Sequence, residues 1–596
     1  MSFQIEFQPS GIRLLCAEAL TILDAARQAG IPLRADCGGK GICGKCRVQV
    51  TGGAINGDHT EAEKNHLNSE EQAQGYRLAC ESVADADLKV FIPAESLSGE
   101  AILQVEGEKA SIQADAEVRQ VSVSLPEATL EDLRSDFERA RMCAGLPELR
   151  IRLDALRDLP DALRSNGWQA NLFVRGSEVF HAAPRTPGTP IGLAVDVGST
   201  KIACYLVNLE SGELLAAKGT PNPQIAYGED IMARLAYAMR GRQEARSLHG
   251  SIAEAINQCG RELCRQINRV PADIMDFCLV GNTAMHHFFL NLPTGALAVS
   301  PFVPAASDTL YPDAREIGLD GMPGAAVLAP PVIAGFVGSD HLAFLLSCGF
   351  GQAEHTRLGI DIGTNTEIAL QKGKRIVSVS TASGPAFEGA HIRFGMRAGP
   401  GAIEHMRITA DGGAEIEVIG GGQAVGICGS GILDAVAELR TNGLLNARGR
   451  MKKDGPGIRL DEDGVPYFRL AEGKRRITIS QKDVDQILLA KGAIRAGIDV
   501  LMDEMGVEKD DLDEIVIAGA FGSYMLPEQA VRLGMLPDIP LGCVRAVGNA
   551  AGAGARMMLI SKEARTNAEA LARRIEYLEL TIYPDFPMFF AQGIRA

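Results

Sequence analysis

A chain of 596 residues is several domains long, and 46% hydrophobic with 5% aromatic residues is ordinary globular composition with material for a large core. A formal net charge of −16 argues against a nucleic-acid backbone or an anionic membrane surface as partner, since both demand basic patches that release counterions. The longest apolar region, 322–350, is interrupted by Pro330, Pro331, Asp340 and His341, so no bilayer span is expected.

Residues 1–95 form the first predicted unit. "FQIEF" and "LKVFIPA" alternate as strands do, and "TILDAARQAG" reads as a short helix ending at Gly30. Within this unit Cys37, Cys43, Cys46 and Cys80 spell C-x(5)-C-x(2)-C-x(33)-C. Three thiols on one loop with a fourth arriving from elsewhere is close to the plant-type arrangement that holds a [2Fe-2S] cluster, and the extra residue matches the adrenodoxin-like variant. Gly38, Gly39, Gly41 and Gly44 suit a loop that needs positive φ and close backbone approach to sulfur. Structural zinc would also accept four thiolates, but usually from paired short knuckles. The opening "MSFQIEFQPSG" has neither a basic nor an apolar leader region, so disulfides are not expected and a reducing compartment, the cytoplasm, is. The other nine cysteines (16, 143, 204, 259, 264, 278, 348, 428, 543) read as packing thiols.

Residues 96–120 lack a long periodic apolar face and are predicted to be a linker. Residues 121–185 regain structure, with "VRQVSVSL", a helix from "TLEDLRSDFERARMCAGL" and "WQANLFVRG" giving a small α/β domain. From 190 to 596 comes a long α/β region with an internal echo, in which "LAVDVGSTK" and "LGIDIGTNT" place Asp196 on Asp361, Gly198 on Gly363 and Ser199 on Thr364. A duplicated lobe is implied.

Each echo is an apolar strand entering D-x-G-[ST]-x and leaving as another strand. Such a turn can present backbone N–H groups and a hydroxyl to phosphate, with the aspartate facing a divalent metal through water. One copy alone reads first as a structural turn. Two copies in corresponding positions suit a nucleotide clamped between lobes. On this reading Asp196 and Asp361 hold Mg²⁺ and position water, while Ser199, Thr200, Thr364 and Asn365 grip phosphate and Lys201 adds charge. "FCLVGNTAMHHFFL" is a strand passing into a helix, with His286 and His287 read as helix packing. The segment 484–505 carries a helical apolar stripe. In "DEIVIAGAFGSYM" the strand 515–518 breaks at Gly519 and Gly522, as it must if an adenine ring lies against it. "VGNAAGAGARMML" opens a last helix. "CGSG" opens another, where Gly429, Ser430 and Gly431 either offer N–H groups to an anion or simply cap the helix. No G-x(4)-G-K-[ST] loop is present.

This ordered set resembles the ATP-binding superfamily of acetate kinase, sugar kinases, Hsp70 and actin. A ferredoxin module fused to that clamp resembles the reductive activators of corrinoid proteins, through the cysteine loop, linker, middle domain, both D-x-G turns, "TASGPAFEGAHIRFGMRAGPGAI" and "GICGSGILDAV". The expected fold is therefore multidomain α/β and α+β: a β-grasp-like [2Fe-2S] ferredoxin domain, a linker, a small α/β domain and a duplicated actin/Hsp70-like ATPase domain. The resemblance implies ATP-dependent return of a Co(II) corrinoid protein of a methyltransferase system to Co(I); no flavin or NAD fingerprint is visible, so a separate reductase is expected to load the cluster, and a homodimer stays open. A plant-type cluster sits near about −400 mV, and each further 100 mV costs about 2.3 kcal/mol per electron. Differential affinity of nucleotide states for a docked form could supply it. Two alternatives from other classes are a small-molecule kinase with a redox sensor and a non-catalytic regulatory module with structural ATP.

Overall fold

The computed structural model describes residues 3–8, 12–29, 31, 33–35, 37–55, 57–93, 96, 114–185, 188–228, 230–352, 354–472, 476–519, 522 and 525–595. Gly30 and most of the predicted linker, 97–113, lie outside the described residues.

The N-terminal unit is a five-stranded sheet in the order Ile12–Cys16, Phe3–Gln8, Leu88–Phe91, Arg47–Gly52, Tyr76–Leu78, with Phe3–Gln8 and Leu88–Phe91 parallel. Alternation in "FQIEF" turns Phe3, Ile5 and Phe7 inward. They pack with Leu23, Val48, Leu78 and Val90, each fully buried apolar side chain contributing about 1.5–3 kcal/mol. The helix Ile22–Gln28 starts where Thr21 Oγ1 accepts the Asp24 N–H at 3.0 Å.

The middle unit is a four-stranded sheet, Val118–Ser124, Gln169–Arg175, Glu178–Pro184, Arg150–Ile151, joined by the helices Asp136–Cys143 and Leu153–Ser165. Its first strand starts at Val118, inside the stretch read as linker. Asp115 is also ordered, its N–H donating to the Ile560 carbonyl at 2.8 Å. The helix expected from Thr129 onward begins only after Ser135, whose hydroxyl accepts the Glu138 N–H; Asp132 instead pairs locally with Arg134 at 2.8 Å.

The duplication is explicit in the sheets. The first lobe orders its strands Leu214–Pro221, Lys201–Asn208, Ile191–Val197, Ile274–Gly281, Ala326–Leu328. The second orders Arg375–Thr381, Thr366–Lys372, Thr356–Ile362, Glu514–Ala518, Val544–Gly548, then adds Ile575–Tyr577 outside Arg375–Thr381. Both read third, second, first, fourth, fifth. Between the lobes the helix Ser339–Ser347 packs on Ala550–Ile560 so closely that a Cβ on Gly554 would meet the Ala343 carbonyl at 2.1 Å. Ala550–Ile560 is not the last helix: Lys562–Ala572 and Phe586–Gly593 follow. Arg565 of the former reaches back to Asp276 of the first lobe at 2.6 Å, and both are buried. No helix among the described residues is long and apolar enough to cross a membrane.

Candidate functional site

Four thiols converge at one end of the N-terminal unit. Cys37, Cys43 and Cys46 lie on the loop after the helix, and Cys80 follows the strand Tyr76–Leu78. That strand's exit is fixed by Glu63, fully buried, which takes a bidentate bond from Arg77 at 2.8 and 3.1 Å plus the Leu78 N–H and the Ser82 hydroxyl. All four predicted loop glycines have positive φ, from 65° to 88°. The sulfurs stand in two pairs. Cys43 hydrogen-bonds to Cys37, which together with the backbone N–H groups of Lys40, Ile42 and Cys43 pulls the Cys37 thiol down to about 4. Cys46 donates to Cys80 at 3.4 Å, so the proton stays on Cys46 and the Cys80 thiol is lowered. No group of three or more Cys, His, Asp or Glu side chains among the described residues is arranged around a single ion. Two pairs of thiolates with amide donors at the sulfurs suit two bridged irons, one pair per iron.

The second locus is the cleft between the lobes, with about 1490 Å³ of free space including its mouth. Asp196, Gly198, Ser199, Thr200, Lys201, Asp361, Gly363, Thr364, Asn365, Gly429, Ser430 and Gly519 all line it. Gly522 does not: it is buried beside the strand Glu514–Ala518, where a Cβ would meet Ile517 Cγ2 at 2.7 Å, so its glycine serves packing. Gly519 has φ +92°, and a Cβ there would lie 2.4 Å from the Ile362 carbonyl and 3.1 Å from Asp361 Oδ1. Only glycine lets that turn close over the aspartate. The first turn is braced from beneath by fully buried Arg234, which donates to the Ser199 carbonyl at 2.5 Å and the Gly228 carbonyl at 2.9 Å. The adjoining Tyr227 ring carries the ferredoxin residue Arg27 at 5.4 Å. In the second turn the Thr364 hydroxyl donates to Glu388 at 2.7 Å, so this hydroxyl is engaged by a carboxylate. His286 and His287 are buried in the helix Thr283–Phe289 and pack there; His287 Nε2 accepts the Ala305 N–H at 2.9 Å.

Several cleft residues escaped sequence reasoning, among them Asp340, Asn549, Glu367 and Arg397. Asp340 enters from the first turn of Ser339–Ser347, and a charge interrupting an apolar run was its visible signal. Asn549 caps Ala550–Ile560 through its Oδ1, while its Nδ2 donates across the lobes to Asp196 Oδ2 at 2.9 Å. Asp196, Asp340, Asp361 and Glu367 all line the same cleft. Burial pushes Asp196 up to about 6, with Asn549 opposing. Burial, then Asp196, pushes Asp361 up to about 7. Burial, then Asp361 and Asp196, pushes Asp340 up to about 8, and burial, then Asp340 and Asp361, raises Glu367. Four carboxyls lining one cleft resist ionising together, and hard oxygen donors of this kind suit a divalent cation, while no three of them are arranged around a single ion.

A pH dependence follows. The folded-state acidities lie above the ordinary aspartate value of 3.8. Their stabilising effect is therefore fully present below about pH 4 and is lost as pH rises through about 6 to 8. A bound cation offsets that loss only where the groups must ionise. The rise in Tm produced by Mg²⁺ is expected to be near zero at pH 5 and to grow to pH 8, as calorimetric scans with and without MgCl2 would record. A rise equal at both pH values would refute the cation site.

Comparison with known proteins bears on both loci. A family model described as the 2Fe-2S iron-sulfur cluster binding domain matches residues 5–85. Models described as the RACo linker region, the RACo middle region and the C-terminal domain of RACo, the ASKHA domain, match 107–186, 191–353 and 355–595. The corrinoid activation enzyme RamQ of Eubacterium limosum is 32% identical over 582 residues, covering 95% of this chain and 94% of that protein. A [Co(II) methylated amine-specific corrinoid protein] reductase of Methanosarcina barkeri is 28% identical over 67% of this chain and 76% of its own length. The solved structure of a reductive activator for corrinoid, iron-sulfur protein superposes with a TM-score of 0.73 at 32% identity, covering 100% of this chain and 98% of that one. With an iron–sulfur domain at one end, an ASKHA domain at the other and this similarity along almost its whole length, the chain belongs to the family of corrinoid activation enzymes, the reductive activators of corrinoid proteins.

Proposed function

We propose that this protein is a cytoplasmic, ATP-dependent one-electron reductant that returns the Co(II) corrinoid of a methyltransferase partner protein to Co(I). The observation that carries this reading is the presence, in one chain, of a paired-thiol loop fitted to a [2Fe-2S] cluster and a carboxylate-floored cleft between duplicated D-x-G turns. Cys37, Cys43, Cys46 and Cys80 would hold the cluster, which supplies a one-electron carrier of low potential. A separate reductase delivers the electron and the cobalt of the partner receives it, so one electron enters and one leaves per cycle.

The chain's own residues then do the following. Asp196 and Asp361, with Asp340 beside them, would hold Mg²⁺ and orient water. The backbone of 198–201 and 363–365 cradles the phosphates, Lys201 neutralises charge, and the helix start at Gly429 and Ser430 adds N–H donors. Asn549, holding Asp196 across the lobes, ties the metal side of the site to lobe closure. Nucleotide that binds the closed form better than the open one shifts the population toward closure by that difference in affinity.

The test is to mix the reduced protein, Mg-ATP and a corrinoid protein oxidised to Co(II), and follow the cobalt spectrum. Co(I) is expected with ATP and not without it. Full reduction without ATP, or none with it, would reject the reading; phosphate transfer to a metabolite without any corrinoid protein would favour a kinase.

A further inference from the structure

The segment 381–403 enters the account above only through Glu388, yet Phe387, Met396, Arg397 and Ala398 of the same segment also line the cleft. Its backbone is held firmly. The Met396 N–H donates to the Ile427 carbonyl and the Gly401 N–H to the Ile419 carbonyl, both at 2.9 Å, and Gly395 pairs with Ile427. Arg397, between these anchors, lines the cleft with both phosphate turns. Its Nη1 is buried and has no hydrogen-bond partner.

An unpaired buried guanidinium N–H is costly unless something else accepts from it. Among the residues lining the cleft the cations are Lys201 and Arg397. They face each other closely enough that Arg397 adds to burial in pulling the Lys201 ammonium below its ordinary range, with Glu388 opposing. Glu388 is already engaged by the Thr364 hydroxyl. The cleft thus carries a group of carboxyls, Asp196, Asp340, Asp361 and Glu367, and two cations, Lys201 and Arg397, with Glu388 the carboxylate that acts on Lys201. Two converging cations with a fixed planar donor between two phosphate turns ask for a multiply charged oxyanion, and guanidinium suits the terminal oxygens of a polyphosphate better than ammonium does.

We propose that Arg397 is a ligand of the terminal phosphate of the nucleotide, the contact through which the cleft tells ATP from ADP. This rests on the ATP reading given under Proposed function. Equilibrium titration of the full-length, cluster-loaded protein with Mg-ATP and with Mg-ADP tests it. Arg397→Ala should weaken Mg-ATP by roughly 10- to 100-fold, the weight of one charge-assisted hydrogen bond, and leave Mg-ADP within about threefold. Arg397→Lys should recover part of the ATP affinity, because it keeps the charge and loses the fork. An ATP-to-ADP preference in Arg397→Ala equal to that of the wild type, whether both affinities are kept or both fall together, overturns the assignment. If Arg397→Ala does not fold, an unchanged preference in Arg397→Lys overturns it equally. Wild-type protein that binds neither nucleotide would instead remove the ATP reading itself. Turnover lost in Asp361→Asn beside an unchanged preference in Arg397→Ala would remove only the role of Arg397.

Discussion

Replacing Cys43 with serine should remove most of the visible absorption of the purified protein and abolish ATP-dependent cobalt reduction, while Mg-ATP binding stays as in the wild type. Cys43 is the partner of Cys37, and the pair stands apart from Cys46 and Cys80. On the proposed assignment its loss would leave one iron with a single thiolate, whereas the other pair is intact. The wild-type protein should carry about two irons and two labile sulfides per chain. The cleft lies in the duplicated lobes, in other elements and other core clusters, so its nucleotide affinity should be additive with the loop mutation. Iron and sulfide assays, a visible spectrum and a nucleotide titration on the same preparation decide it. Stoichiometric zinc in the wild type, or a Cys43→Ser protein that still reduces cobalt, would overturn the cluster assignment.

The loop was legible in sequence because its constraints are local. Three thiols within ten residues and four glycines that turn out to need φ between 65° and 88° leave few conformations open. The D-x-G turns were legible for a different reason: the strand order of one lobe repeats in the other, and so does its motif. What the sequence concealed is set by topology. Asp340, Asn549 and Arg397 come from three separate segments that meet only after the lobes close on each other. Gly522 misled because a glycine after a strand fits an adenine platform and a tight side-chain contact equally well, and here the contact with Ile517 decides. The strand Val118–Ser124 was legible as "VRQVSVSL", and only the linker boundary was set three residues too late, where the strand already pairs with Gln169–Arg175 far along the chain.

Asp361→Asn is expected to reduce ATP turnover and ATP-dependent cobalt reduction by roughly 100- to 1,000-fold, the usual consequence of removing one preorganised charge from a transition-state site, without changing the cluster spectrum. The same substitution should raise stability in the absence of Mg²⁺, and this makes the prediction sharp. Asp361 is pushed up to about 7 by burial and Asp196, and it in turn pushes Asp340 upward. An amide cannot ionise, so as pH rises through about 7 the variant no longer forces adjacent carboxylates to charge together. Its metal-free Tm at pH 8 should exceed that of the wild type, the two should converge near pH 5, and the stabilisation by Mg²⁺ should shrink. Asp196→Asn should share the first effect but gain less stability, because Asn549 already satisfies one oxygen of Asp196 and an amide there can keep that bond through its carbonyl. If Asp361→Asn hydrolyses ATP as the wild type does, the metal site is misplaced. If turnover falls but the Tm difference between pH 5 and pH 8 is unchanged, Asp361 acts on the nucleotide without belonging to a mutually repelling carboxylate group, and the Mg²⁺ assignment loses its electrostatic basis.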